Sequence, residues 1–139
     1  MAGGGDMSYL KKVANKFNVT EKVKFLGPLT HEQVFEYLNT IDIYAQPSRQ
    51  EGLPRALIEA MSKGVPSIGS TTAGIPELLE KEFIFNNGNI KEICEILKKM
   101  KKETMAAQAE MNYVKSKEFS KDILNERRTK FYNEFSKGI

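Results

Sequence analysis

The chain has 139 residues, enough for one domain with a real core and too few for two. At 40% hydrophobic and 28% charged it has the make-up of a soluble globular protein, and no apolar run approaches the ~18 residues of a membrane helix. The net charge of +3 is concentrated in residues 91–139, where 12 basic and 8 acidic residues interleave as on a solvated helix without a DNA-reading motif, so nucleic acid is excluded as the expected partner.

At the N-terminus, MAGGGDM has neither a basic region nor an apolar core of the signal-peptide kind. The expected location is the cytoplasm, with peripheral attachment at the inner membrane face as the alternative. Residues 6–18 read as a helix with Leu10, Val13, Ala14 and Phe17 on one face. VKFLG, residues 23–27, is a short apolar run closed by Gly-Pro and predicts a buried strand. Thr30 is placed to cap a helix carrying Val34, Phe35 and Leu38 on one side. IDIYAQP predicts a second strand, stopped by Pro47. A helix opening at Pro54 and ending at Gly64 follows, with Pro54 expected at its first helical position.

VPSIGS (65–70) predicts a third strand, IPELLEK a short helix, and FIF (83–85) a fourth strand. From Ile90 the reading is helical: 90–102, 103–117 and 120–136. Ser120 caps the last of these, with Phe119 and Leu124 spaced for a hydrophobic staple. Its stripe of Ile123, Leu124, Phe131, Tyr132 and Phe135 predicts that this helix docks, against the core or against a partner. Short strands alternating with helices define an α/β chain with a parallel, Rossmann-like sheet of about four strands, flanking helices and a helical C-terminus. The whole is expected as one domain, with 1–89 its α/β part and 90–139 its terminal helices. One cysteine, Cys94, and one histidine, His31, exclude an internal disulfide and a Cys- or His-rich metal centre, and no cofactor is expected.

In parallel α/β sheets, ligands sit beyond the carboxyl ends of strands, where helices begin. Two such junctions occur here: the loop PSRQEGL before the Pro54 helix, and STTAG before Pro76. The first-turn amides of a helix carry partial positive charge and suit a phosphate. Gly52 lets a ligand approach the backbone, and Gly74 is a candidate for the same role. Glu51 and Glu59 flank the helix start. From spacing alone they fit either a ligand grip or surface charge, because Glu59 has Arg55 four residues before it and Lys63 four after.

The segment SRQEGLPRALIEAMSKGVPSIGSTTAGIPELL resembles the donor site of the retaining family 4 glycosyltransferases, enzymes of the GT-B fold. Their signature has two glutamates separated by seven residues, matched by Glu51 and Glu59. VTEKVKFLGPLTHEQVFEYLNTIDIYAQPS is similar to the segment that precedes it in the family. The resemblance runs from about residue 2 to 88 and more loosely to the end.

It implies transfer of a sugar from a nucleotide-sugar donor (a UDP-, GDP- or ADP-sugar) to an acceptor hydroxyl, with retention and without a bound metal. Under it Glu59 accepts from the ribose hydroxyls and Glu51 faces the transferred sugar as the catalytic candidate. Gly52, Leu53 and Pro54 hold the pyrophosphate, while Gly27, Pro28 and Leu29 lie beside the base. His31 is a surface residue. Ser67 stands where the family usually has valine, and Ala73 where it often has glycine.

The resemblance also implies that the chain is part of a C-terminal donor-binding domain, without the acceptor domain or the first strand, whose loop carries an Arg and a Lys to the diphosphate. Two functions follow: the donor-binding portion of a glycosyltransferase, or a nucleotide-sugar-binding module with no turnover of its own. With the usual strand order, residues 23–26 pair directly with 42–46, or a complementing chain or a second copy fills the vacancy. The acceptor, glycan or lipid, is not named by these residues.

Overall fold

The computed structural model describes residues 3–50 and 52–138. They form two compact units, Met1–Tyr37 and Leu38–Ile139. In the first, helix α1 is Ser8–Lys16. Its start is held by Asp6, whose carboxylate accepts from the Ser8 N–H and the Ser8 hydroxyl, both at 2.8 Å. These bonds lower the Asp6 pKa, the backbone one most. Its end is a Schellman motif with Asn18 in the left-handed region (φ 53°), where Val19 N–H reaches the Ala14 carbonyl at 3.0 Å.

Helix α2, His31–Leu38, begins with the reciprocal cap expected at Thr30. The Gln33 N–H donates to Thr30 Oγ1 at 3.3 Å, and the Thr30 N–H donates to Gln33 Oε1 at 2.9 Å. Residues 23–26 do not form the expected strand: they are irregular, and half-exposed or exposed. An apolar run of four residues becomes a strand only where a neighbouring ladder accepts it, and β1, defined next, is bonded only to β2 among the described residues.

The second unit is built on a parallel three-stranded sheet, β1 (Tyr44–Gln46), β2 (Ser67–Ser70) and β3 (Ile84–Phe85), in the order β1-β2-β3. Tyr44 stands opposite Ser67, and Gly69 opposite Ile84. Helix α3 (Arg55–Ser62) connects β1 to β2, and the short α4 (Ile75–Leu78) follows β2. Leu57 and Met61 of α3 pack with Ile75, Leu78 and Leu79 in one core cluster. Gly64, at φ 67°, closes α3 in a second Schellman motif, with Val65 N–H bonded to the Ala60 carbonyl at 3.0 Å.

The other cluster joins Ile68, Phe83 and Phe85 to Ile96 and Met100. The last two come from α5 (Ile90–Lys99) and the turn after it. Asn89 caps α5, and Glu92 reaches back to accept from the N–H and side chain of Asn86. These bonds, the backbone one foremost, lower the Glu92 pKa.

Helix α6 (Lys102–Ser116) packs on α3 and sends two polar side chains into the interior. Gln108, 1% exposed, accepts from the Ser67 N–H at 2.9 Å and donates to the Ser67 carbonyl at 2.7 Å. One turn on, Asn112 donates to the Val65 carbonyl at 3.0 Å. The strand ladder from β3 reaches only Gly69 and Ser70, so the Gln108 amide satisfies β2 at Ser67 where β3 does not extend, and Asn112 does the same for the chain just before it.

Helix α7 (Lys121–Lys137) has the expected Ser120 cap, which accepts from the Ile123 N–H at 3.5 Å. Phe119 packs on the first cluster. Of the stripe, Ile123 is half-buried while Leu124, Phe131, Tyr132 and Phe135 are exposed, with Phe131 and Phe135 stacked on each other, so the stripe does not dock as a whole on the core of this unit. No helix among the described residues is long and apolar enough to cross a membrane.

Candidate functional site

Both strand-to-helix junctions singled out in the sequence lie in the second unit and meet at the carboxyl ends of β1 and β2. In the first, Pro54 is not the first helical residue. It is the N-cap of α3, at φ −78° and ψ 90°, because its ring is fully buried and its Cδ packs toward Gly74. Its carbonyl accepts from the N–H groups of Leu57 and Ile58, at 3.1 and 3.2 Å. The N–H groups of Arg55 and Ala56 have no hydrogen-bond partner among the described residues, and they form the open end of α3.

Gly52 and Leu53, just ahead of that end, are exposed. A side-chain carbon placed on Gly52 would meet nothing within 4 Å, so one face of this backbone is open. Gly74 differs from its candidate role. A carbon added there would lie 3.1 Å from the Gly52 carbonyl oxygen and 3.4 Å from Pro54 Cδ. Its bareness therefore lets the two loops touch. Residue 73, beside it, is Ala73 held at φ 42°.

Glu59 is half-buried on the side of α3 opposite Leu57, Ala60 and Met61, one turn beyond Arg55. Glu51, the catalytic candidate, lies outside the described residues. Gly27, Pro28 and Leu29 are in the first unit, where Gly27 turns the chain at φ 70° with open space over its Cα and accepts from the Gly3 N–H at 2.9 Å. His31 is exposed and lies against the Phe35 ring, as a surface residue at a helix start. Ser67, in place of the family's usual valine, is buried with its hydroxyl on the Val65 carbonyl at 2.9 Å. Among the described residues no group of three His, Cys, Asp or Glu is arranged to hold a metal ion.

Sequence reasoning missed the residues that join the loops. The Ser48 carbonyl accepts from the hydroxyls of Ser70 and Thr72, both at 2.7 Å. Three hydroxyl residues within two loops already expected to meet a ligand were the available signal.

A parallel α/β sheet with two such loops at its carboxyl edge is the architecture of Rossmann-like nucleotide-binding domains. The profile of the family described as glycosyl transferases group 1 matches residues 1–117, and the chain belongs to that family. Among its relatives is the CapJ protein of Staphylococcus aureus, 29% identical over 68% of this chain and 25% of that protein. Another is a human phosphatidylinositol N-acetylglucosaminyltransferase subunit, 28% identical over 91% of this chain and 27% of that protein. The chain thus spans about a quarter of the curated relatives it matches.

In fold it is similar to sucrose-phosphate synthase from Thermosynechococcus elongatus (TM-score 0.88, 16% identity, 99% of this chain and 38% of that one). It is also similar to HepE of Anabaena, solved with UDP and glucose (TM-score 0.84, 22% identity, 96% and 39%). The fold is that of GT-B glycosyltransferases, as expected.

Proposed function

We propose that the chain is the donor-binding portion of a retaining glycosyltransferase, serving transfer from a nucleotide-sugar to an acceptor hydroxyl. What carries the reading is the open, exposed backbone of Gly52 and Leu53 leading into the first-turn amides at the open end of α3, in a member of this family. Such amides favour the charge that develops on a departing nucleoside diphosphate. The anomeric carbon exchanges its bond to the diphosphate for one to the acceptor oxygen, the diphosphate leaves with the electron pair, and the acceptor's proton passes to the departing diphosphate. Glu59 holds the ribose, a task for a pure acceptor with two oxygens. Glu51 faces the transferred sugar, and the backbone of Gly27, Pro28 and Leu29 receives the base.

HepE, solved with UDP-glucose, supports a donor of that class. The reading includes no cofactor or metal. It takes the cytoplasm as the location. The alternative is a nucleotide-sugar-binding module without turnover of its own, which the same open loop and first-turn amides would serve.

Calorimetric titration with UDP, GDP and ADP, beside a donor-hydrolysis assay, separates them. Binding with hydrolysis supports the transferase, and binding alone supports the module. No binding of any of the three overturns both.

A further inference from the structure

The backbone that the reading assigns to the diphosphate is exposed, yet it is tied at both ends to the loop after β2. At its start, the Ser48 carbonyl takes two hydroxyl hydrogen bonds, from Ser70 and Thr72. Those two hydroxyl oxygens are themselves 3.1 Å apart. Ser70 is wholly buried, so its bond is shielded from water.

The Ser48 hydroxyl in turn accepts from Gln46 Nε2 at 2.8 Å, and Gln46 Oε1 accepts from the Tyr44 hydroxyl. Tyr44, Gln46 and Ser48 alternate along one face of β1 and its continuation, so this polar line runs from the first core cluster to the loop. At the other end, the bare Cα of Gly74 sits against the Gly52 carbonyl and Pro54. The backbone at Ser48 and that at Gly52 are thus each held by the loop that carries Thr72 and Gly74.

We propose that Ser70, Thr72 and Gly74 are positioning residues that set where the backbone of Gly52 and Leu53 presents itself to the donor's diphosphate. They touch no reacting atom and act through Ser48 and through the Gly52 carbonyl. The inference rests on the donor-binding reading for what the loop holds, while the clamp itself has a readout independent of any ligand.

The test compares the whole chain with two variants: the double variant Ser70→Ala with Thr72→Val, which keeps shape and removes both hydroxyls, and Gly74→Ala, which pushes on Gly52. Amide hydrogen exchange is followed at residues 49–53 and, as an internal reference, at Ile68 and Gly69 of β2. UDP, GDP and ADP affinities are measured in parallel. The double variant is expected to exchange at least tenfold faster at 49–53 with β2 unchanged, and both variants to bind the nucleotide at least tenfold more weakly. Thr72→Ser, which restores a hydroxyl, should return both readouts most of the way.

Unchanged exchange at 49–53, or an increase shared equally with β2, overturns the clamp, since the second pattern is plain loss of stability. Faster loop exchange with unaltered nucleotide affinity overturns the positioning role. If the unaltered chain binds no nucleotide, the donor-binding reading fails and the positioning role with it, while the exchange arm still decides whether the clamp exists.

Discussion

Replacing Gln108 with methionine keeps the length of the side chain and removes both polar atoms. Gln108 makes a two-point contact with one residue of β2, at 2.9 and 2.7 Å, inside a region where Ser67 and Gln108 are 0% and 1% exposed. The variant leaves the Ser67 N–H and carbonyl buried without these partners. Each orphaned group costs about 1–3 kcal/mol, and the extra apolar burial of methionine returns part of it, so the net loss is expected at ~2–4 kcal/mol. That is a large share of the ~5–15 kcal/mol by which a domain is stable.

Urea unfolding followed by circular dichroism reads this as a drop in midpoint at constant m-value. Gln108→Glu gives an orthogonal check. Its second oxygen faces the Ser67 carbonyl, so the carboxyl pKa must be raised in the folded state. Its stability is then best at low pH and is lost as pH rises through the folded value. A Gln108→Met loss below ~0.5 kcal/mol would refute the idea that this amide stands in for a missing strand.

Ala73→Gly should stabilise the chain by about 0.5–1 kcal/mol, because alanine at φ 42° carries a strain that glycine lacks; a calorimetric melting scan reads the gain. Glu59→Ala should weaken nucleotide binding by roughly 1–3 kcal/mol in titration calorimetry, the scale of hydrogen bonds to a charged group, and an unchanged affinity removes Glu59 from the site. Glu92 has a lowered pKa, so its contribution is present above the ordinary glutamate value and fades as pH falls through the lower folded value. The melting-temperature gap between the unaltered chain and Glu92→Gln should therefore be fully open at about pH 6 and shrink in the acid range.

Much of the architecture was legible because local chemistry marks it. Thr30 and Ser120 cap the helices they precede, Gly64 ends α3, and α5, α6 and α7 begin within a residue of their expected starts. Residues 23–26 misled because a four-residue apolar run carries no information about whether a partner strand is available. Gln108 and Asn112 were invisible for a related reason: on a helix they look like solvent-facing residues, and only the third dimension shows them turned onto a strand.

For the site, the two strand-to-helix junctions were readable. The placement of Pro54 one residue outside the helix was not, since its packing on Gly74 is a contact between residues far apart in sequence. The bonds from Ser70 and Thr72 to Ser48 likewise depend on the parallel register of two strands.

That register has an unusual source. All four residues of β2 are buried, so no alternation of wet and dry faces tells the strand which residue belongs opposite which. Polar pins supply the information instead: an amide from α6 grips one end at Ser67, and a hydroxyl at Ser70 latches the other to the loop beyond β1. A shift by a single position would break both latches at once. The chain can therefore change its greasy interior residues freely for others of like volume, while these few hydrogen-bonding side chains keep count of the alignment.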